Sequence, residues 1–150
     1  MRARWLVAGA LFASGACLVG CDEGLSVLAG PTPNLEPTFS SIQRDVFEAT
    51  DSTGRQQCTN CHTDQGRNPA GQLNLRHDVA HSRLVNANSV AKPGAVLVRP
   101  GDPDGSYLIA KLEGHSDIVG LRMPRPAGPF LSDGQMTIIR RWIERGAPND

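Results

Sequence analysis

The sequence predicts an all-α fold: a small domain of short helices and long loops. Apolar residues recur at helical spacing in several short stretches, and no pattern of alternating strands is visible. The 150 residues include 16 Gly and 11 Pro, which indicates many turns, and aromatic residues make up only 5%. A loop-rich chain with so few aromatic residues often fills its interior with something else, such as a metal, disulfides or a cofactor.

The first predicted helix runs from about Phe39 to Ala49 and is capped by Ser40 or Ser41. Its apolar stripe is formed by Phe39, Ile42, Val46 and Phe47. A second, weaker helix is predicted from about Asp78 to Asn86.

Two further helices follow. After a turn at Asp104-Gly105, Ser106 is predicted to cap a short helix that Gly114 ends. In the C-terminal helix, which has the clearest pattern, Ser132 and Gln135 form a capping box. The stop signals of that helix are Gly146 and Pro148, and its apolar residues are Met136, Ile139, Trp142 and Ile143.

The N-terminus carries an export signal. Arg2 and Arg4 precede an apolar stretch, Trp5 to Gly20, that is shorter than the roughly 20 residues of a membrane-spanning helix. The stretch ends in Leu18-Val19-Gly20-Cys21, which resembles the lipobox of bacterial lipoproteins. This resemblance implies a signal peptide over residues 1–20 and a lipid anchor on Cys21 at the periplasmic side of the cell envelope. An ordinary secretory signal is the alternative.

Residues 21–38 are predicted to be the lipidated cysteine and a tether rich in proline, and residues 39–150 the folded domain. The chain contains 15 Lys+Arg and 15 Asp+Glu, so its formal net charge is zero. A neutral chain argues against nucleic acid as a partner, because nucleic-acid binding favours a basic surface.

The segment from Cys58 to His62 (Cys-Thr-Asn-Cys-His) is a C-x-x-C-H motif, the pattern of covalent haem attachment. The thiols of Cys58 and Cys61 would add to the two vinyl groups of one haem, giving haem c. The next residue, His62, would bind the iron as the proximal ligand. Covalent attachment suits an exported protein, because a haem held by thioethers cannot be lost outside the cell.

Other interpretations of the two cysteines are weaker. A thioredoxin-like redox pair needs a βαβ setting, and a disulfide between Cys58 and Cys61 would close too small a loop to stabilise much. Zinc is the strongest alternative, since His77 and His81 follow at a spacing that nominally fits a Cys2His2 site. That interpretation leaves His62 unexplained.

A six-coordinate haem needs a second axial ligand, for which Met123 is the prediction. It lies in a loop stiffened by Pro124 and Pro126, and the proline after the methionine restricts its backbone. Met/His ligation raises the reduction potential and leaves no open position at the iron, which points to electron transfer. The other candidates are Met136, which falls on the inward face of the C-terminal helix, and His77, His81 and His115.

The order of these features resembles the class I c-type cytochromes over residues 39–150. The chain is also similar to single-haem cytochrome c domains of the planctomycete and myxobacterial type. Those share a Pro-Gly-Asp-Pro…Ser-x-Leu segment (Pro100 to Leu108), a Met-Pro loop and a Trp-Ile…Gly-Ala ending (Trp142 to Ala147). The resemblance implies first and last helices that cross. One departure is Arg125, where a second proline often stands in the relatives.

The sequence therefore predicts a lipid-anchored monohaem cytochrome c that faces the periplasm, transfers one electron at a time and is not an enzyme. Its haem thioethers are predicted at Cys58 and Cys61, and its iron ligands are His62 and Met123. The expected partners are transient redox proteins and, through Cys21, the membrane, and the chain is expected to be a monomer. The alternatives are a zinc-structured interaction module and a haem-based sensor that binds ligands at the iron.

Overall fold

The computed structural model describes residues 35–125 and 128–150. The predicted signal peptide, Cys21 and residues 22–34 of the predicted tether lie outside these residues. The α-helices of the described part are α1 (Phe39–Ile42), α2 (Ala80–Leu84), α3 (Tyr107–Glu113) and α4 (Asp133–Glu144). A π-helical segment, Gln43–Phe47, continues α1, and single 3-10 turns lie at Cys58–Asn60 and Ala70–Gln72.

Extended structure is scarce in residues 35–125 and 128–150, where pairing is limited to isolated bridges such as Val85 with Val98. The helical architecture agrees with the predicted all-α class. Within the same ranges, none of the helices combines the length and the apolar character needed to cross a membrane.

The first helix begins at Phe39, as predicted, but its cap is the residue before, Thr38. Thr38 has an extended backbone, and its side chain accepts the N–H of Ser41 at 3.2 Å, so the prediction of Ser40 or Ser41 as the cap was wrong. An extended backbone at the cap is what lets its side-chain oxygen reach the first free N–H groups. From Gln43 the helix widens into the π-helical segment.

Helix α3 ends as predicted at Gly114, whose φ of 79° is left-handed and suits glycine. Its start also lies where it was predicted, with Ser106 as the N-cap residue, but the Ser106 side chain makes no capping hydrogen bond. The Ser106 hydroxyl donates to the Asp102 carbonyl at 2.7 Å and accepts the Arg99 N–H at 2.8 Å, so it closes the preceding turn instead of capping the helix.

The capping box of α4 is confirmed. Ser132 Oγ accepts the N–H of Gln135 at 3.2 Å, and Gln135 Oε1 accepts the N–H of Ser132 at 3.0 Å. The weaker helix predicted over residues 78–86 is confirmed as the shorter α2.

The first and last helices pack against each other, as predicted. The rings of Phe39 and Trp142 lie 5.4 Å apart at this contact. Helix α3 supplies Ile109 to the same core. Partly buried residues packed against the edge of this core include Cys58, Leu73 and Met123. The core therefore reaches both the C-x-x-C-H motif and the predicted sixth ligand.

Candidate functional site

The C-x-x-C-H motif forms a single tight turn. The N–H groups of Cys61 and His62 both donate to the carbonyl of Cys58, at 3.2 Å and 3.0 Å. Both thiols are free: Cys58 is half-buried at the edge of the core, and Cys61 is exposed. The turn therefore offers two unpaired thiols directly before a histidine.

The His62 ring is oriented by a backbone group. Its Nδ1 lies 2.9 Å from the carbonyl oxygen of Ala70, while the N–H of Ala70 donates to the Cys61 carbonyl at 2.9 Å. Because a carbonyl can only accept a hydrogen bond, Nδ1 carries the proton. In the neutral ring Nε2 then keeps its lone pair and is the nitrogen available to a metal.

The environment of His62 favours this neutral form. Burial lowers the pKa of the ring, and the positive charge of Lys111 lowers the pKa further. The hydrogen bonds to the backbone at Ala70 and Leu73 act in the opposite direction but do not outweigh burial. The imidazole is thus held in the protonation state that a metal requires.

Met123 is fixed to α3 through Lys111. The N–H of Met123 donates to the Lys111 carbonyl at 2.8 Å, and the Lys111 ammonium donates to the carbonyls of Val119 and Leu121 at 2.9 Å and 2.6 Å. The Met123 side chain is half-buried against the core. The positive charge of Lys111 also lowers the pKa of His62, so this lysine influences both predicted axial ligands.

The other candidate ligands have other surroundings. Met136 is 9% exposed in the core, which confirms the packing role predicted for it. The His77 side chain is 76% exposed, and His115 Nε2 lies 2.8 Å from Glu113 Oε2. His81 Nε2 lies 2.9 Å from the Ala147 carbonyl oxygen, and its ring packs against Phe39.

The Cys2His2 zinc pattern is not assembled. Among the residues that the structure describes, no three His, Cys, Asp or Glu side chains come close enough together to share a metal ion. His81, the last residue of that pattern, takes part in the contact between the first and last helices instead.

Arg55 is a residue of the site that sequence reasoning missed. It is 0% exposed, and its guanidinium contacts Asp51 Oδ2 at 3.0 Å and donates to the Val46 and Ala49 carbonyls at 3.0 Å and 3.3 Å. The segment from Asp51 to Gly54 has the composition of a turn, which the sequence shows. A buried arginine three residues before Cys58 has no local signal, because it depends on where the end of the first helix lies.

A polar cleft of about 590 Å³ opens beside the motif. Its lining includes Thr59, Asn60 and Arg76 but none of Cys58, Cys61, His62 and Met123. The cleft therefore lies outside the candidate site.

Comparison of the chain with protein-family models, with curated proteins and with solved structures found no match. The interpretation of the site therefore rests on the sequence motifs and on the contacts described above.

Proposed function

We propose that the protein is a monohaem c-type cytochrome, anchored by lipid at Cys21 on the periplasmic side of a bacterial cell envelope, that transfers single electrons between partner proteins. One haem c would be held through thioethers at Cys58 and Cys61, with His62 and Met123 as axial ligands. In this proposal the protein catalyses no bond chemistry of its own, and its domain is a small helical fold wrapped around the haem.

The observation that carries the proposal is the orientation of His62. Its Nδ1–H donates to the Ala70 carbonyl, so the lone pair on Nε2 is available directly after a turn that bears two free thiols. A carbonyl acceptor on one ring nitrogen is the usual way in which a protein directs the other nitrogen to a metal. Neither a simple disulfide nor a thiol redox pair uses such a histidine.

The surroundings of Met123 supply a second argument. Val119 and Leu121, which precede it, are 50% and 63% exposed, and Phe130 is also exposed. Apolar side chains that are exposed beside a predicted iron ligand favour contact with an apolar partner. A porphyrin bound between His62 and Met123 would cover such a surface, and the donor set of two thiols, an imidazole and a thioether fits a haem.

A bound haem would supply the redox chemistry, since its iron can take up and release one electron. His62 and Met123 would both bind that iron, which would leave no position open for oxygen or a substrate. Lys111 would keep the Met123 loop in place through its three hydrogen bonds. Electron exchange of this kind uses small, transient interfaces with partner proteins, so a monomer suffices.

The test is an absorption spectrum of residues 22–150, exported from a host with the haem-attachment machinery. Met123→Leu is compared with Met136→Leu, since each variant removes one methionine sulfur at nearly constant volume. We expect a low-spin c-type spectrum in the wild type. The far-red sulfur-to-iron band should disappear in Met123→Leu and persist in Met136→Leu.

Other outcomes would revise the proposal in distinct ways. A low-spin spectrum that neither substitution changes would indicate a histidine as the sixth ligand of the iron. Ready binding of carbon monoxide or cyanide by the wild type would favour a sensor, because it requires a weak or absent bond from Met123. A colourless protein that contains zinc would refute the cytochrome.

A further inference from the structure

Arg55 ties the end of the first helix to the segment before the C-x-x-C-H motif. It is 0% exposed, and it donates to two carbonyls at the end of that helix, those of Val46 and Ala49. The last carbonyls of a helix lack partners within the helix, so these bonds supply donors to groups that the helix itself leaves free. The guanidinium is thus buried by protein atoms alone, and a bound haem can only add to its burial.

Arg55 and the first cysteine of the motif share an acceptor. The Val46 carbonyl receives the Arg55 Nη1–H at 3.0 Å and the Cys58 thiol at 3.8 Å. Conversion of Cys58 to a thioether removes its S–H, and Arg55 then remains as the donor to this carbonyl. The guanidinium is therefore adjacent to the sulfur through which a haem would be attached.

We propose that Arg55 is a positioning residue that sets Cys58 for haem attachment and that its buried charge raises the reduction potential of the haem. This inference rests on the proposed function. The ferric haem carries one more positive charge than the ferrous haem, so a nearby buried cation disfavours the ferric form. Screening by water is weak at such a site, because the guanidinium has no exposed surface.

The partner carboxylate offsets this field only in part at the motif, because Asp51 binds Nε of Arg55 whereas Nη1 donates to the carbonyl that Cys58 also contacts. Asp51 is bound to Arg55 on the side that faces the turn Asp51–Gly54, where it also accepts the N–H of Thr53 at 2.9 Å. Burial raises the pKa of the Cys58 thiol, and Arg55 opposes that shift through its charge and through a hydrogen bond. The sulfur of Cys58 thus lies in the positive field of Arg55.

The experiment compares the reduction potentials of four variants of the haem-loaded protein by redox titration, together with the haem content per chain. Arg55→Met removes both the positive charge and the N–H donors of the guanidinium. Arg55→Lys keeps the charge but loses the planar guanidinium and its several donors. Asp51→Asn removes the opposing negative charge. Arg44→Met is the matched control. It removes a positive charge from an arginine in the π-helical segment whose Val46 carbonyl Arg55 contacts, and the Arg44 side chain is 65% exposed and paired with Asp45.

We expect Arg55→Met to lower the equilibrium constant for reduction of the haem about tenfold. For a one-electron couple this corresponds to a reduction potential lower by about 59 mV. Arg55→Lys should retain most of the wild-type potential with a lower haem content. Asp51→Asn should raise the potential, and Arg44→Met should leave it unchanged. If the ion pair were merely structural, the two substitutions would not be expected to shift the reduction potential in opposite directions.

An Arg55→Met protein with full haem content and the wild-type potential would overturn the inference. If Arg55→Met yields no haem protein, the reduction potential of Asp51→Asn becomes the decisive measurement. A potential equal to that of the wild type in Asp51→Asn would also overturn the inference. A wild-type protein without covalent haem would instead overturn the proposed function itself. The haem content of the wild type is measured before any variant is made, so the two failures are distinguishable.

Discussion

Replacement of His81 by alanine is predicted to destabilise the domain, even though alanine is the residue most favourable to helix α2. The His81 ring lies 5.0 Å from the ring of Phe39 at an angle of 83°, and 6.3 Å from that of Trp142. An edge-to-face pair of this kind contributes about 0.5–1.5 kcal/mol beyond the area that it buries.

The larger part of the effect comes from a hydrogen bond. His81 Nε2 lies 2.9 Å from the carbonyl oxygen of Ala147, a residue that is 2% exposed. Loss of the donor leaves that carbonyl buried and unpaired, at a cost of about 1–3 kcal/mol. Together the two terms predict that the free energy of unfolding falls by about 2–4 kcal/mol.

Urea unfolding followed by circular dichroism measures this change. The matched control is His77→Ala, since the His77 side chain is largely exposed and should change the free energy of unfolding by less than about 0.5 kcal/mol. The reasoning would be refuted if the His81→Ala variant were as stable as the wild type. Loss of stability in both variants, with the wild type stabilised by added zinc, would restore the Cys2His2 interpretation.

Two smaller predictions concern a helix cap and acid stability. Ser132→Ala removes the acceptor of the Gln135 N–H, so the urea unfolding free energy should fall by about 1 kcal/mol, and no loss would contradict the cap. Burial raises the pKa of Asp51, but hydrogen bonds from Thr53 and Arg55 outweigh burial and hold it below its ordinary value of 3.8. The unfolded chain then takes up the proton first, so the contribution of Asp51 to stability should be constant above about pH 4 and decline below it. Asp51→Asn should flatten that decline in urea midpoints measured against pH, and an equal slope would count against the pair.

Features set by neighbours in the chain were predictable. The capping box of Ser132 and Gln135 and the left-handed end of α3 at Gly114 depend on a few adjacent residues, and both are found. Cys58, Cys61 and His62 are also close neighbours in the chain, and they lie together in one turn. The assignment of haem to that turn stays a prediction.

Features that depend on distant segments were not predictable. The burial of Arg55, the Ala70 carbonyl that orients His62 and the contact of His81 with Ala147 need chain segments to meet that the sequence does not mark as neighbours. Backbone acceptors in particular leave no trace in side-chain composition. The amino-acid sequence by itself determined which residues carry the C-x-x-C-H motif on which the haem prediction rests. The tertiary structure decided which nitrogen of His62 is free and which charge lies beside Cys58, because both depend on atoms brought together by packing.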